Sequence, residues 1–402
     1  MAKHDGRGLD TAAQAAWLDD PEFLRGLVQE AVQAILEAEM AAHLGAEPYE
    51  RTADRTGHRN GYKPRSLKTR VGTLELRVPQ DREGAFSTEL FARYQRSEQA
   101  LLLTLLEMYV QGVSTRKVAA ITEQLCGTSF SKSQVSVLAG TLDATLAVWR
   151  ERPLPVRYPY LSVDARYEHV RVDGRVVSQG VLVVAGVRED GRREILAVEV
   201  ADTESEATYE GLFRRLKARG LHGVILVTSD DHAGLRSAIA RHFQGASWQR
   251  CQVHFARNLL GLVGRQHRAR LAADLRAVFA AADAGQARGL ARGCAERWRR
   301  GHPAAAAKLE EELEACLACY AVPAAHRVRV RTTNGLERFN QELKRRTRVV
   351  RIFPNRASLL RLVTALALEQ SEEWVSGRRY LDMERLWEEQ PRPTPATRAQ
   401  AA

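Results

Sequence analysis

The chain has 402 residues, with 60 Lys and Arg against 49 Asp and Glu and a formal charge of +11, a length that points to two or three domains rather than one core. With 45% hydrophobic and 27% charged residues it can bury real cores, which excludes wholesale disorder, and no run of 18 apolar residues suggests a membrane span. The start, MAKHDGRGLD, lacks the apolar stretch of a secretory signal, and five cysteines argue against a disulfide scaffold, so a reducing cytoplasm is expected.

The first ten residues are expected to be untethered. From Pro21, PEFLRGLVQEAVQAILEAEMAAHLG reads as one amphipathic helix: Phe23, Leu27, Ala31, Ile35 and Ala38 recur at helical spacing, and Gly45 closes it. Residues 51–70 then carry seven Arg and Lys against one acid, with Asn-Gly and Lys-Pro steps, so they are loop or extended chain. VGTLELRVPQDREG alternates Val71, Leu74, Leu76 and Val78, which predicts an edge strand stopped by Pro79. Residues 98–150 are helical, with Ser114 and Ser131 placed as N-caps, a turn at Gly127, and a last helix running through SQVSVLAGTLDATLAVW. That pattern reads equally as a helix-turn-helix or an ordinary helical hairpin. Pro153, Pro155 and Pro159 mark a linker.

Beyond the linker, YPYLSVDARYEHVRV, VVSQGVLVVAGVRE and RREILAVEVAD are three β-rich runs joined by Asp173-Gly174 and Asp190-Gly191 turns. A helix over Glu204–Arg219, a short buried strand ending at Ser229, a second helix and a second short strand follow. Three antiparallel strands, then helix, strand, helix, strand is the order of an RNase H-like fold. Residues 255–330 read as helices without a clear strand. HRVRVRTTN reads as extended, GLERFNQELKRRTRVV as a long helix, and RASLLRLVTALALEQSEEWVSG as another. The polar tail from Pro391 is expected to be disordered.

Three carboxylates stand out. Asp164 interrupts an apolar strand, where a carboxylate is costly unless it faces water or holds a ligand. Asp230 continues a buried strand at its C-terminal end, the place where open α/β sheets put functional groups, although it or Asp231 could instead cap the next helix. Glu337 opens the last long helix, either as a partner of the helix dipole or as the third oxygen ligand that two hard Mg²⁺ or Mn²⁺ ions need. The run Lys344, Arg345, Arg346, Arg348 follows it and suits phosphate contacts, whereas Glu342 lies about 140° further round the helix. Cys251-x-x-His254 is half of a zinc site, and Cys316-x-x-Cys319 could complete it only on paper, since buried thiols in an Ala/Leu-rich helix are common.

The stretches RNGYKPRSLKTRVGTLELRVPQDREGAF, SVDARYEHVR, TSDDHAGL, WQRCQVHFARN and TTNGLERFNQELKRRTRVVRIFPN resemble the Mutator-type transposases of bacterial insertion sequences. The resemblance implies an α/β RNase H-like catalytic core with an all-α insertion domain, preceded by a mostly helical DNA-binding region. It implies a DDE triad at Asp164, Asp230 and Glu337 holding two Mg²⁺ ions, with Mn²⁺ as substitute. It also implies DNA binding through Arg59, Lys63, Arg65, Lys68, Arg70, Lys132, Lys344, Arg345, Arg346 and Arg348, with active-site support from Cys251, His254, His232 and Asn334. Asp231 departs from the small residue usual there, and Trp298 resembles a tryptophan of the family's insertion domain, as core aromatic or DNA-end contact. The expected organisation is a helical segment over 1–50, a basic extended region over 51–97 and a helix-turn-helix-like domain over 98–152. The core's first part follows over 153–254, the insertion over 255–330, the catalytic Glu helix over 331–356, C-terminal helices over 357–390 and the tail over 391–402. The implied activity is cleavage at the element's inverted repeats followed by strand transfer, with DNA as partner, no membrane, and a homodimer as the assembly.

Overall fold

The structure, a computed structural model, describes residues 21–53, 55–90, 97, 99–113, 115–126 and 130–389. The first ten residues, Ser114, Gly127, the tail from Pro391 and the side chains of Phe23 and Lys132 lie outside the described residues. The chain divides into two compact units, one up to Thr141 and one from Leu142.

In the first unit, α1 (Pro21–Leu44) ends at Gly45, whose φ of 65° is the left-handed conformation that lets a chain leave a helix. Leu36 on α1 packs against Leu67, Leu74 and Leu76 of an antiparallel hairpin, β1 (Arg59–Thr69) and β2 (Gly72–Asp81). The basic stretch is therefore a paired strand, and β2 runs through Pro79 instead of stopping there. A two-stranded sheet leaves an outer edge on each strand, and Pro79 faces Tyr62 just where the register shifts, so a missing N–H is tolerated. Helices α2 (Gln99–Val110), α3 (Thr115–Cys126) and α4 (Lys132–Gly140) enclose Leu101, Leu105, Val118, Phe130 and Val135. Ser131 and Gln134 form a reciprocal capping box at the start of α4.

The expected single helix after Ser131 is two. It stops at Gly140, a poor helix former, and Thr141 turns its N–H and hydroxyl back onto the carbonyl of Leu138. The next piece, α5 (Leu142–Arg150), belongs to the second unit and packs on a later helix of it, Arg356–Ser376, through a bidentate Arg361–Asp143 pair with both contacts at 2.7 Å.

The second unit is built on a mixed six-stranded sheet, so the α/β fold class stands. Strands β3 (Tyr160–Val172), β4 (Arg175–Val187) and β5 (Arg193–Ala201) form an antiparallel meander. Its first turn holds Asp173 and Gly174 at φ 48° and 77°, as a tight Asp-Gly hairpin requires. After α6 (Glu206–Ala218), β6 (Leu226–Ser229) runs parallel to β3; after α7 (Ala233–His242), β7 (Ser247–Arg250) runs parallel to β6. Leu161 and Val163 turn one face of β3 into a core with Tyr209, Phe213 and Leu216 of α6 and Leu235 and Ile239 of α7.

Residues 252–330 contain no strand among the described residues: α8 (Gln252–Gly261), α9 (Arg268–Phe279), α10 (Ala284–Arg299) and α11 (Pro303–Glu312) share one apolar core. Two expectations fail here. The CLAC stretch forms two 3₁₀ turns, Glu314–Cys316 and Ala318–Ala321, in place of an α-helix. HRVRV is not extended but lies in α12 (Ala324–Val330), because an Arg/Val alternation over five residues also satisfies the helical period: His326 and Val330, four apart, are buried while Val328 is exposed. The His326 ring is held by Tyr160 Oη at 2.9 Å and by the Asp382 carbonyl at 2.7 Å.

The chain ends with α13 (Asn334–Val350), the two-residue β8 (Ile352–Phe353) on the far end of β3, α14 (Arg356–Ser376) and α15 (Glu384–Glu389). Helix α14 packs on β5, and the outer edge of that strand is closed by side chains. The Ile195 N–H donates to Ser371 Oγ, while Arg152, Arg219 and Arg356 donate to the carbonyls of Ile195, Leu196 and Val200. None of the helices among the described residues is long and apolar enough to cross a membrane.

Gly191, at φ 86°, accepts the N–H groups of Tyr380 and Leu381 at 2.8 and 3.1 Å, and a Cβ there would lie 1.9 Å from the Leu381 carbonyl oxygen. Gly191→Ala is therefore expected to destabilise the second unit by about 1–3 kcal/mol through backbone strain and the displaced chain. Thermal denaturation should show the loss, and Trp387, packed in the same cluster, should shift its emission to the red.

Candidate active site

Strand geometry assembles the site. Along β3, Leu161 and Val163 face the core with α6 and α7, so Ser162, Asp164, Arg166 and Glu168 face the other side. Helix α13 covers that side. Asn340 donates from Nδ2 to Asp164 Oδ2 at 2.6 Å, the Asn340 carbonyl accepts from Arg166, and Thr347 donates to Glu168 at 3.0 Å.

Strand β6 pairs with β3 in parallel as Tyr160 with Leu226, Leu161 with Val227 and Ser162 with Thr228. That offset is 66 residues, the same as the separation of Asp164 and Asp230, so extending the ladder by two residues sets the two carboxylates side by side. Asp230 also shares its face with Thr228, whose hydroxyl donates to the Val330 carbonyl at the end of α12. Burial, then the charge of Asp230, pushes the Asp164 carboxyl up to about 6, against the pull of His254 and the Asn340 hydrogen bond.

Helix α8 supplies the connecting cation. His254 places Nδ1 against Asp230 Oδ1 and Nε2 at 3.4 Å from Glu337 Oε1, so one imidazole links the strand carboxylate to the helix carboxylate. Contact with Asp230 and then Cys251 pushes the His254 pKa up to about 10 in spite of burial, which makes the ring an imidazolium. Arg257, one turn along α8, approaches Glu337 at 3.7 Å. Cys251 is fully buried, and its sulfur accepts from the N–H and hydroxyl of Thr333, both at 3.4 Å, which ties the start of α8 to the start of α13. Burial alone would raise its pKa, but His254 and Thr333 outweigh that and hold the thiol below its ordinary value.

The donor atoms of Asp230, Cys251 and His254 lie within 4.8 Å of one another, the only such group among the described residues. Cys316 and Cys319 are buried free thiols outside it. The three carboxylates of the expected triad border one site but do not themselves converge that closely, because His254 stands between Asp230 and Glu337. Their chemistry fits a hard divalent cation: oxygen donors predominate, and Asn340 Oδ1, beside Asp164, is buried without a hydrogen-bond partner.

Other expected residues are used differently. His232, not Asp231, caps α7, its Nδ1 accepting from the Leu235 N–H at 3.3 Å, so it serves the helix. Asp231 faces away from Asp230 and pairs with Arg236 and Arg250. Asn334 begins α13, where it borders an arginine-rich groove. Trp298 is buried and donates to Asp274 at 2.7 Å, the placement of a core aromatic. Of the basic candidates, Lys63, Arg70, Lys344, Arg345 and Arg348 are exposed, and Arg345 grips Glu342 through two hydrogen bonds. Arg59 pairs with Glu37, Arg65 is half-buried, and Lys68 sits 4.9 Å over the Phe130 ring. Arg346 is buried between Glu342 and Glu369, which withdraws it from any ligand. Asn340 escaped the sequence reading, although it lies three residues after Glu337 and therefore on the same helix face.

Residues 3–377 match the family model described as "Transposase, Mutator family". The chain is 48% identical over 388 residues to the transposase for insertion sequence element ISRM5 of Rhizobium meliloti, covering 96% of this chain and 98% of that protein. It is 46% identical to the transposase for IS406 of Burkholderia multivorans, covering 92% and 96%. It is 41% identical to the transposase for IS256 in transposon Tn4001 of Staphylococcus aureus, covering 87% and 91%. Among solved structures, a Drosophila P element transposase strand transfer complex is similar at a TM-score of 0.31 and 10% identity over 76% of this chain and 85% of that one, too distant to carry an argument.

Arg250 is 3% exposed and compensated by Asp231 at 3.1 Å and by Glu312. Asp231→Asn leaves Glu312 in place and should cost little. The double variant Asp231→Asn, Glu312→Gln strands a buried guanidinium and should cost about 3–5 kcal/mol, more than the two single changes added together. Urea unfolding midpoints of the four proteins measure this.

Proposed function

Since this chain belongs to the Mutator family of transposases, we propose that it cleaves DNA at the terminal inverted repeats of an insertion sequence and transfers the freed strand, with Asp164, Asp230 and Glu337 as a DDE triad. The observation that carries this reading is the 66-residue offset of β3 and β6, which brings Asp230 beside Asp164 while His254 joins Asp230 to Glu337. On this reading the mixed sheet is an RNase H-like core and the helices over 252–330 are its all-α insertion between the second Asp and the Glu. The partners are the element's ends and target DNA, and two copies act together as a dimer.

The triad would hold Mg²⁺, or Mn²⁺ in its place, which when bound supplies charge neutralisation at the phosphate and a more acidic water or 3′-hydroxyl. In cleavage, the oxygen of water adds to phosphorus as the P–O3′ bond breaks and the 3′-oxygen leaves with the electron pair. In transfer, that 3′-hydroxyl attacks a second phosphodiester in the same sense. The chain's own groups position the reaction and form no covalent bond to DNA. Asn340 fixes the orientation of Asp164, His254 keeps Asp230 and Glu337 on one side, and Arg257 offers a cation next to Glu337 where a phosphodiester would enter. In the first unit, the exposed Lys63 and Arg70 are the cations of the hairpin best placed to meet DNA phosphates.

A parallel nicking assay on DNA carrying the element's inverted repeats tests the assignment. Asp164→Asn, Asp230→Asn and Glu337→Gln should each lower cleavage by roughly three orders of magnitude, because a neutral amide cannot replace an anionic ligand. Asp231→Asn should stay active, and EDTA should stop cleavage until Mg²⁺ or Mn²⁺ is restored. An inactive Asp231→Asn beside an active Asp230→Asn would move the second ligand by one residue.

Replacing Lys63 and Arg70 by Ala should weaken DNA binding and flatten its logarithmic salt dependence by about 0.9 for each phosphate no longer neutralised. Fluorescence anisotropy across a salt series measures it; an unchanged slope removes the hairpin from the DNA interface.

A further inference from the structure

Helix α13 has a second use. Glu337 and Asn340 point to the carboxylates, and Arg338, one residue on from Glu337, turns about 100° away. On that side lies an open groove of about 930 Å³ between α13, the end of α14 and the start of β5. Its wall carries Arg193, Arg329, Arg338 and Arg378, with the rings of Trp374 and Tyr380. None of these four arginines forms an ion pair among the described residues.

The glutamates that border the groove do not neutralise them. Glu342 is taken by Arg345 and Arg346 and Glu369 by Arg346, which leaves Glu373, in no ion pair among the described residues, as one carboxylate facing four guanidinium groups. The aromatic rings instead fix one guanidinium in place. Arg193 lies 4.1 Å from the Trp374 ring centre and 4.2 Å from that of Tyr380, with Arg329 at 5.1 Å from the same Tyr380 ring. Such stacking holds a cation's position without cancelling its charge. Burial, and after it the neighbouring charges of Arg329 and Arg338, keep the Arg193 guanidinium below its ordinary pKa despite the opposing influence of Tyr380 and Glu373. Gathering unpaired like charges around a concave surface is unfavourable for the protein alone and favourable once a polyanion lies there.

We propose that this groove binds the sugar–phosphate backbone of a DNA segment, on a face of α13 turned away from the carboxylates, with Arg193, Arg329, Arg338 and Arg378 contacting its phosphates. The proposal rests on DNA being the substrate, but not on the triad or its metal. It adds a third set of cations to the hairpin and to the exposed Lys344 and Arg348, and it lets one helix carry a catalytic carboxylate on one side and hold nucleic acid on another. Guanidinium is the appropriate group, since its planar donors meet phosphate oxygens two at a time.

The test uses the full chain without divalent metal, so that no chemistry intervenes, and a fluorescein-labelled duplex of 40 base pairs as probe. Arg338 and Arg378 are both exposed, so Arg338→Gln with Arg378→Gln should leave thermal stability unchanged. Anisotropy across a salt series should then show weaker binding and a logarithmic salt slope reduced by about 1.8, the equivalent of two phosphates. Amide hydrogen exchange on the unaltered protein should show residues 370–380 protected by the same duplex. An unchanged slope together with unprotected residues 370–380 at saturating DNA overturns the proposal. So does binding of a labelled poly-glutamate peptide that depends on Arg338 and Arg378 when DNA binding does not, which would make the groove a protein-docking surface. Loss of cleavage in Asp164→Asn bears on the triad alone and leaves this readout untouched, so the two readings fail separately.

Discussion

Two carboxylates held side by side in adjacent parallel strands are the constraint around which the second unit is arranged. Inside a partly buried site the repulsion between Asp164 and Asp230 is poorly screened, and burial already disfavours the charged form of Asp164. The fold compensates from two directions. Helix α13 brings an amide hydrogen bond to Asp164, and α8 brings an imidazolium to Asp230. Each helix is then fixed by further contacts near the site: the Cys251 sulfur to Thr333, the Gln252 N–H to the Arg331 carbonyl, and Thr347 to Glu168. The helices between Phe255 and Leu317 share a core of their own, while Cys319, Val322 and Val330 beyond them pack against Tyr160 and Leu226 of the sheet.

Much of this was legible. The strand order of the meander, its Asp-Gly turn, the helical content of 255–330 and the carboxylate positions follow from period and turn chemistry, which are local. The relation of Asp164 to Asp230 was visible as a family spacing, but its cause, the 66-residue register, is a property of pairing. Failures fell where local pattern underdetermines structure. HRVRV fits both a strand and a short helix, and only the burial of His326 against Tyr160 decides. Pro79 blocks a central strand but not an edge. Gly140 and Thr141 end a helix that apolar spacing alone would continue. Arg346 reads as a surface cation beside Arg345 and Arg348, yet the helical period turns it inward onto Glu369.

The positive charge of the chain is thus not a uniform coat. Arginines such as Arg152, Arg219, Arg250 and Arg361 are structural, each spending its donors on backbone carbonyls or on carboxylates within the second unit. Others, on the groove side of α13, form no ion pair among the described residues. The excess expected from composition is concentrated by the fold, and its location says more than its size.

The closed rim of β5 has a consequence for how copies of this chain can meet. A free sheet edge is a template on which a second molecule can add a strand, and such growth has no natural end. Here the N–H of Ile195 and the carbonyls of Ile195, Leu196 and Val200 are already occupied by Ser371, Arg152, Arg219 and Arg356. Gln249 on β7 likewise binds the Cys316 carbonyl and the Cys319 N–H across to the 3₁₀ turns. Strand addition at Ile195–Val200 would therefore have to displace the four contacts there, which disfavours growth along this edge.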